Sequence, residues 1–414
     1  MPITTRDPRS LAILAVLGLA LAGCASGPDI IPAAPPVSDV AVTHYKAART
    51  AHAEIEALDL APELERGRLR TSVLPYLEDA KRSDIRTATF VDTLLGETWL
   101  ELEGPSSEKA LGAFQSSVAG VENWWPMGWF GVATCLAGSG DVAGAELALQ
   151  QAEKAIVNLE ERITVGADLP PARNFFQVIG LLPQPKPVQT NNAETLEFYF
   201  SMVQEMECWR LALPTVDSLT QRQAISRMKA RVYLLRSALT PEGQQSHGPT
   251  PLGIEMALAQ DPNFVEGRLL KAKSNLAAGN LEGAWANISP YVQVSPPGTD
   301  AGFTSHHAVF LRLGANVARE YARTRPGQDI PGHGKPAEIA EELFRQVLAI
   351  NPAHGRALLE RADNLLTCIE RDPAGHPLLR DLVDASLKGA QASADPGVDP
   401  AVLNALLARR QKLG

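Results

Sequence analysis

The side chains best suited to chemistry in this 414-residue chain are eight histidines and four cysteines, and their spacing argues against metal binding and nucleophilic catalysis. His44, His52, His247, His306, His307, His333, His354 and His376 include no HExxH pair, and no Cys–His spacing suits tetrahedral zinc. His306 and His307 are adjacent, so on a helix they face different ways and do not share an ion. The glycines around Lys335 in PGHGKP, residues 331–336, suggest a phosphate loop. Such a loop needs Ser or Thr after the lysine and glycine where Asp329 stands; Pro336 follows the lysine instead, so an irregular connection between helices is predicted. There is no GxSxG elbow and no evident Cys–His nucleophile pair. Glu194, Glu197, Glu205 and Glu207 share one predicted helix, but paired acids act on a glycosidic bond only in a cleft that separates their pKa values. They predict a solvated acidic face. The expectation is no catalytic residue, no metal and no cofactor.

The aromatic cluster NWWPMGWF, residues 123–130, holds three of the six tryptophans. Trp129 falls on an apolar helix face and belongs to a core. Trp124 and Trp125 precede that helix, where an exposed indole would anchor a peptide or a sugar ring and a buried one would pack between neighbouring helix pairs.

Composition narrows the partners. The formal charge is −9 at pH 7, and no basic stripe exists to displace counterions from a nucleic acid. Cys135, Cys208 and Cys368 match no metal or CxxC framework, and sequence separation does not show whether any two are paired.

The positioning elements begin with an address. Arg6 and Arg9 precede the apolar run LAILAVLGLALA, residues 11–22, too short to span a bilayer and typical of a secretory signal. It ends in Leu21-Ala22-Gly23-Cys24, which resembles the lipobox of bacterial lipoproteins. The resemblance implies removal of residues 1–23, a diacylglycerol on the Cys24 sulfur and a fatty acid such as palmitate on the new N-terminus. Each buried CH₂ contributes roughly 0.8 kcal/mol, so several chains together anchor a protein to a membrane. Ala25 after the cysteine resembles cargo sorted to the periplasmic face of the outer membrane. Residues 24–39 carry four prolines and few charges and predict a disordered tether.

From residue 40 onward, helical periodicity recurs and strand signals are nearly absent. Pro262 and Pro296 bracket one helix-turn-helix period, with Gly267, Ala272, Gly279 and Ala284 where packed helices need small side chains and Gly279-Asn280 at the turn. Trp129, Val132, Ala133, Leu136, Gly140, Ala145, Leu149 and Ala152 repeat the pattern after Pro126. Leu95-Gly96, Trp99, Ala110 and Phe114 give another copy with a longer turn at Glu103-Gly104-Pro105. Ala340 and Phe344 mark a second helix closed by Pro352, and a new first helix opens near Gly355 with Leu358 and Ala362. The spacing resembles the tetratricopeptide repeat. That implies an all-α fold, a right-handed superhelical solenoid of such repeats, with an N-terminal array over residues 40–165, a Pro-rich insertion over 166–191 and a C-terminal array over 192–414. The family usually binds extended peptides or helices in its inner groove without catalysis. The expected protein is therefore a lipid-anchored periplasmic scaffold holding an envelope protein or peptide, with Arg268 and Lys271 as basic candidates on a first helix. The alternative is a solute- or glycan-binding lipoprotein of nutrient uptake, its pocket lined by Trp124, Trp125 and the insertion.

Overall fold

The computed structural model describes residues 39–83, 88–119, 125–165, 221–246, 248–292, 307–372, 377–393 and 395–413. The lipobox, most of the tether, the 166–191 insertion, Trp124 and Cys208 lie outside these residues. Regular structure among the described residues is helical, apart from one isolated bridge between Ile330 and Gly334. We number the helices α1 (Asp39–Ala57), α2 (Pro62–Ser72), α3 (Leu74–Ser83), α4 (Ala88–Glu103), α5 (Glu108–Val118), α6 (Pro126–Gly138), α7 (Val142–Val165), α8 (Gln221–Leu239), α9 (Pro241–Ser246), α10 (Pro251–Gln260), α11 (Val265–Ala277), α12 (Leu281–Val292), α13 (His307–Thr324), α14 (Pro336–Ile350), α15 (Gly355–Arg371), α16 (Pro377–Ala392) and α17 (Pro400–Lys412). None of them is long and apolar enough to cross a membrane.

Neighbouring helices pack as hairpins: α1 with α3, α4 with α5, α6 with α7, α8 with α10, α11 with α12, α13 with α14 and α15 with α16. Each hairpin also packs on the next, so the architecture is an all-α solenoid. The turns explain why the chain reverses where it does. Gly140 and Gly279 have φ of 85° and 73°, a region open to glycine at little cost, and each ends a first helix. Asp141 N–H then donates to the Leu136 carbonyl at 2.8 Å, and Asn280 N–H to the Asn275 carbonyl at 2.8 Å. The same two side chains start the second helices: Asp141 Oδ1 accepts from Gly144 N–H at 2.9 Å and Asn280 Oδ1 from Gly283 N–H at 3.0 Å. Gly104, with φ 87°, makes the third such turn, and Ser107 Oγ caps the following helix by accepting from Ala110 N–H at 3.2 Å. Proline opens α2, α6, α10, α14 and α17, where its missing N–H costs nothing.

Small residues set how closely the hairpins approach. Phe114, from α5, lies between Gly96 of α4 and Gly131 of α6; a β-carbon would fall 2.7 Å from its ring at the first glycine and 2.2 Å at the second. The apolar cores follow one another along the chain and share helices. Ile225, Met228 and Val232 of α8 belong to the core of the first seven helices, whereas Ala230 and Leu234 of the same helix pack with Ile254, Ala257 and Phe264. Ion pairs reinforce the first junction: Arg236 of α8 bonds Glu153 at 2.9 Å and Glu146 at 3.1 Å on α7, and Lys229 bonds Glu160 at 2.6 Å. The apolar layering therefore continues through α8 on both sides.

Two glycine substitutions test this packing with opposite signs. Gly131→Ala should lower the free energy of unfolding by about 1–3 kcal/mol through overpacking against Phe114. Gly112→Ala, in an exposed helical position with open space around it, should raise it by up to about 1 kcal/mol. Urea unfolding of both variants measures the contrast, and equal losses would refute the close contact at Phe114.

Candidate functional site

First helices of neighbouring hairpins touch one another in two runs, α4 with α6 and α6 with α8, then α11 with α13 and α13 with α15, and the second run forms an inner face. α13 dominates that face. Arg312, Asn316, Arg319, Glu320 and Arg323 recur at steps of three and four residues, which puts them on one side of the helix. Phe310, Leu311, Ala318 and Tyr321 cover the other sides and are buried. Asn316, Arg319, Glu320 and Arg323 of this stripe line a cavity of about 660 Å³ whose apolar wall includes Leu276 and Leu281 at the α11–α12 turn.

Polar atoms in this cavity are incompletely satisfied. Asn316 Oδ1, Arg319 Nε and Glu360 Oε2 are buried and make no hydrogen bond. Their other atoms are fixed: Arg319 Nη1 donates to Asp363 Oδ2 at 3.1 Å, and Glu360 Oε1 accepts from Arg312 Nη1 at 3.2 Å. Arg323 pairs with Glu320 at 2.8 Å, and Arg325 is held by Glu282 across from the neighbouring hairpin. The unmet set is one donor and two acceptors on rigid helices. Buried polar atoms of this kind are uncommon in proteins.

A second polar assembly joins the turn after α1 to α13 and to the α14–α15 turn. Asp59, in the turn after α1, has φ 46° and directs Oδ2 to Arg312 Nε at 2.6 Å and to His354 Nε2 at 3.0 Å. Asn351 Nδ2 donates to the Leu58 carbonyl at 3.1 Å in the same contact. α1 thereby packs on α13, and the array folds back on itself. Burial would raise the Asp59 pKa, but the hydrogen bond with His354 and the Arg312 charge outweigh it and hold the carboxyl below its usual range.

The inner face of the first hairpins is acidic around one histidine. His52 is 8% exposed; its Nε2 stands 3.2 Å from Glu101 Oε1, and its Nδ1 is 3.9 Å from Glu56 Oε2. Burial alone would lower its pKa, yet the charges of Glu101, Glu56 and Glu97 raise it to about 10. Glu65, on α2, is pushed up to about 7 by burial and by the charges of Glu101 and Glu56.

The residues singled out from sequence take other places. Trp125 is 1% exposed, lies edge-on to Phe90 at 5.0 Å and donates its indole N–H to Thr93 Oγ1 at 2.8 Å. It is a packing residue and presents no surface to a ligand. Trp129 is half-buried against the same core. Arg268 donates to the Pro262 carbonyl at 2.7 Å and to Asn287 Oδ1 at 3.3 Å, and Lys271 pairs with Glu255 at 2.6 Å, so both tie adjacent helices together. Trp124 and Cys24 lie outside the described residues. Cys135 and Cys368 are free thiols; burial pushes the Cys135 thiol up to about 11. PGHGKP forms an irregular turn, with Gly332 and Gly334 at positive φ and His333 N–H bonded to the Ile330 carbonyl at 2.9 Å. The α13 stripe was missed in the sequence, although its polar 3.6-residue period is visible there.

No family model and no curated protein matches this sequence. Among solved structures, the chain is similar to the tetratricopeptide-repeat domain of P58(IPK), at 14% identity over 78% of this chain and 98% of that one, with a TM-score of 0.24.

The contact between the α1 turn and α13 generates a pH prediction. A carboxyl whose folded pKa is depressed stabilises the fold above its unfolded pKa, and that contribution disappears as pH falls through the folded value. Asp59→Asn keeps a side chain that tolerates positive φ and removes the charge. It should lower the unfolding free energy near neutrality by about 2–3 kcal/mol, less than a fully stranded buried charge costs because Glu360 still faces Arg312. The difference between wild type and variant should shrink as the pH is taken below the ordinary carboxylate range. A difference independent of pH in denaturation series would refute an electrostatic role.

Proposed function

We propose that this chain is a non-catalytic binding scaffold of the bacterial cell envelope, anchored by lipid on Cys24, that holds an extended peptide segment of an envelope protein along α13. The observation that carries this reading is the polar stripe Asn316, Arg319, Glu320 and Arg323 of α13 facing a cavity of about 660 Å³. A peptide backbone supplies both carbonyl acceptors and N–H donors, and its side chains fit the apolar wall at Leu276 and Leu281. Stacked hairpins suit such a ligand because their rigid first helices present a continuous inner face. The anchor rests on Leu21-Ala22-Gly23-Cys24 and the short apolar run before it. Outer-membrane sorting rests on Ala25.

A photo-crosslinking residue at Asn316, activated in intact envelopes, should give one reproducible protein adduct identified by mass spectrometry. Arg319→Ala should reduce that adduct at least tenfold while leaving the helical signal unchanged. No protein adduct, together with a small solute retained in native mass spectrometry, would replace the scaffold with the solute-binding alternative. Separately, Cys24→Ser should move the protein from the membrane to the soluble fraction and abolish incorporation of labelled palmitate. An unlabelled wild-type protein free in solution would defeat the anchor.

A further inference from the structure

We propose that His52, Glu56 and Glu101 bind one divalent transition-metal cation of the zinc class on the inner face of the first hairpins. His52 and Glu56 stand one helical turn apart on α1, and Glu101 faces them from α4. One ligand atom from each lies within 4.8 Å of the other two. The site is more than a group of acids. His52 is nine-tenths buried, and its Nε2 makes no aligned hydrogen bond although Glu101 Oε1 is 3.2 Å away. Glu101 Oε2 is buried beside it, also without a hydrogen bond. The imidazole nitrogen and the carboxylate oxygens converge closely enough for one divalent cation to take the place of the proton between them.

The donor set selects the cation. An imidazole favours zinc, iron or nickel over magnesium or calcium, and the absence of a thiol from the set disfavours copper(I). One nitrogen and two carboxylate oxygens leave a fourth tetrahedral position for water or an incoming ligand. Glu97 and Glu65 add negative potential around the set. His52→Glu56 spacing alone is common on helices; the third ligand comes from a different hairpin, and that convergence distinguishes this site. The inference is independent of what the α13 cavity takes.

The test uses the full chain, untagged and stripped with chelator, titrated with Zn²⁺ against a chromogenic competitor and separately with Co²⁺. One tight equivalent of Zn²⁺ is expected, with visible Co²⁺ bands of a four- or five-coordinate site. His52→Gln and Glu101→Gln should each weaken binding at least tenfold, and His333→Gln, an exposed histidine elsewhere, should leave it unchanged. X-ray absorption of the wild-type zinc form should show one imidazole with oxygen ligands and no sulfur, which holds the test even where a variant does not fold. No stoichiometric Zn²⁺ binding at micromolar concentration would overturn the proposal and leave His52 as a cation balancing its carboxylates. So would affinity unchanged in folded His52→Gln.

Discussion

A single helix hairpin cannot cover its own apolar faces, and the rest of this structure follows from that constraint. α8 shows it most directly, since Met228 and Val232 complete one core while Ala230 and Leu234, on the same helix, complete the next. Neither core closes without its neighbour, so stability is shared along the chain in nearest-neighbour steps. The glycines act within the same constraint. Gly96 and Gly131 let the Phe114 ring fill the space between three helices, a volume that one added methyl on either side would contest.

An array of this kind normally ends in open surfaces, but here the turn after α1 meets α13 and the α14–α15 turn. Asp59, Arg312, Glu360 and His354 form a partly buried polar network at that junction. Such a network contributes less than apolar packing would, because each charge loses its hydration on burial. Its value lies in geometry. The Arg312 guanidinium and the Asp59 carboxylate meet at 2.6 Å, which ties the turn after α1 to α13.

The sequence made the hairpins legible because their determinants are local. Gly140-Asp141 and Gly279-Asn280 are turns written in consecutive residues, and Pro126 and Pro336 mark helix starts directly. The polar contacts were not legible for the opposite reason. Asp59 and Arg312 are 253 positions apart, and no local pattern links them. Whether Trp125 was exposed or packed could not be read locally, because its hydroxyl partner, Thr93, lies 32 residues upstream on another helix. Arg268 and Lys271 were placed on the correct helix, α11, but their charges are engaged by Asn287 and Glu255 of adjacent helices, which register alone does not reveal. His52 and Glu56 carried a visible helical spacing; what gives it meaning is Glu101, brought in by the packing of α4.

The distribution of charge on the inner face follows from the closure. Because α1 touches α13, an apolar stripe along α13 would find apolar partners across the groove and the space between them would collapse into a further core. Arg312, Asn316, Arg319, Glu320 and Arg323 oppose that outcome, since burying them unpaired costs more than water or a ligand in the groove. On the first hairpins, Glu56, Glu97 and Glu101 surround His52 in the same way. The guanidinium groups of α13 are themselves paired, Arg312 with Asp59 and Glu360, Arg319 with Asp363 and Arg323 with Glu320, so they present positioned hydrogen-bond donors more than a net positive field.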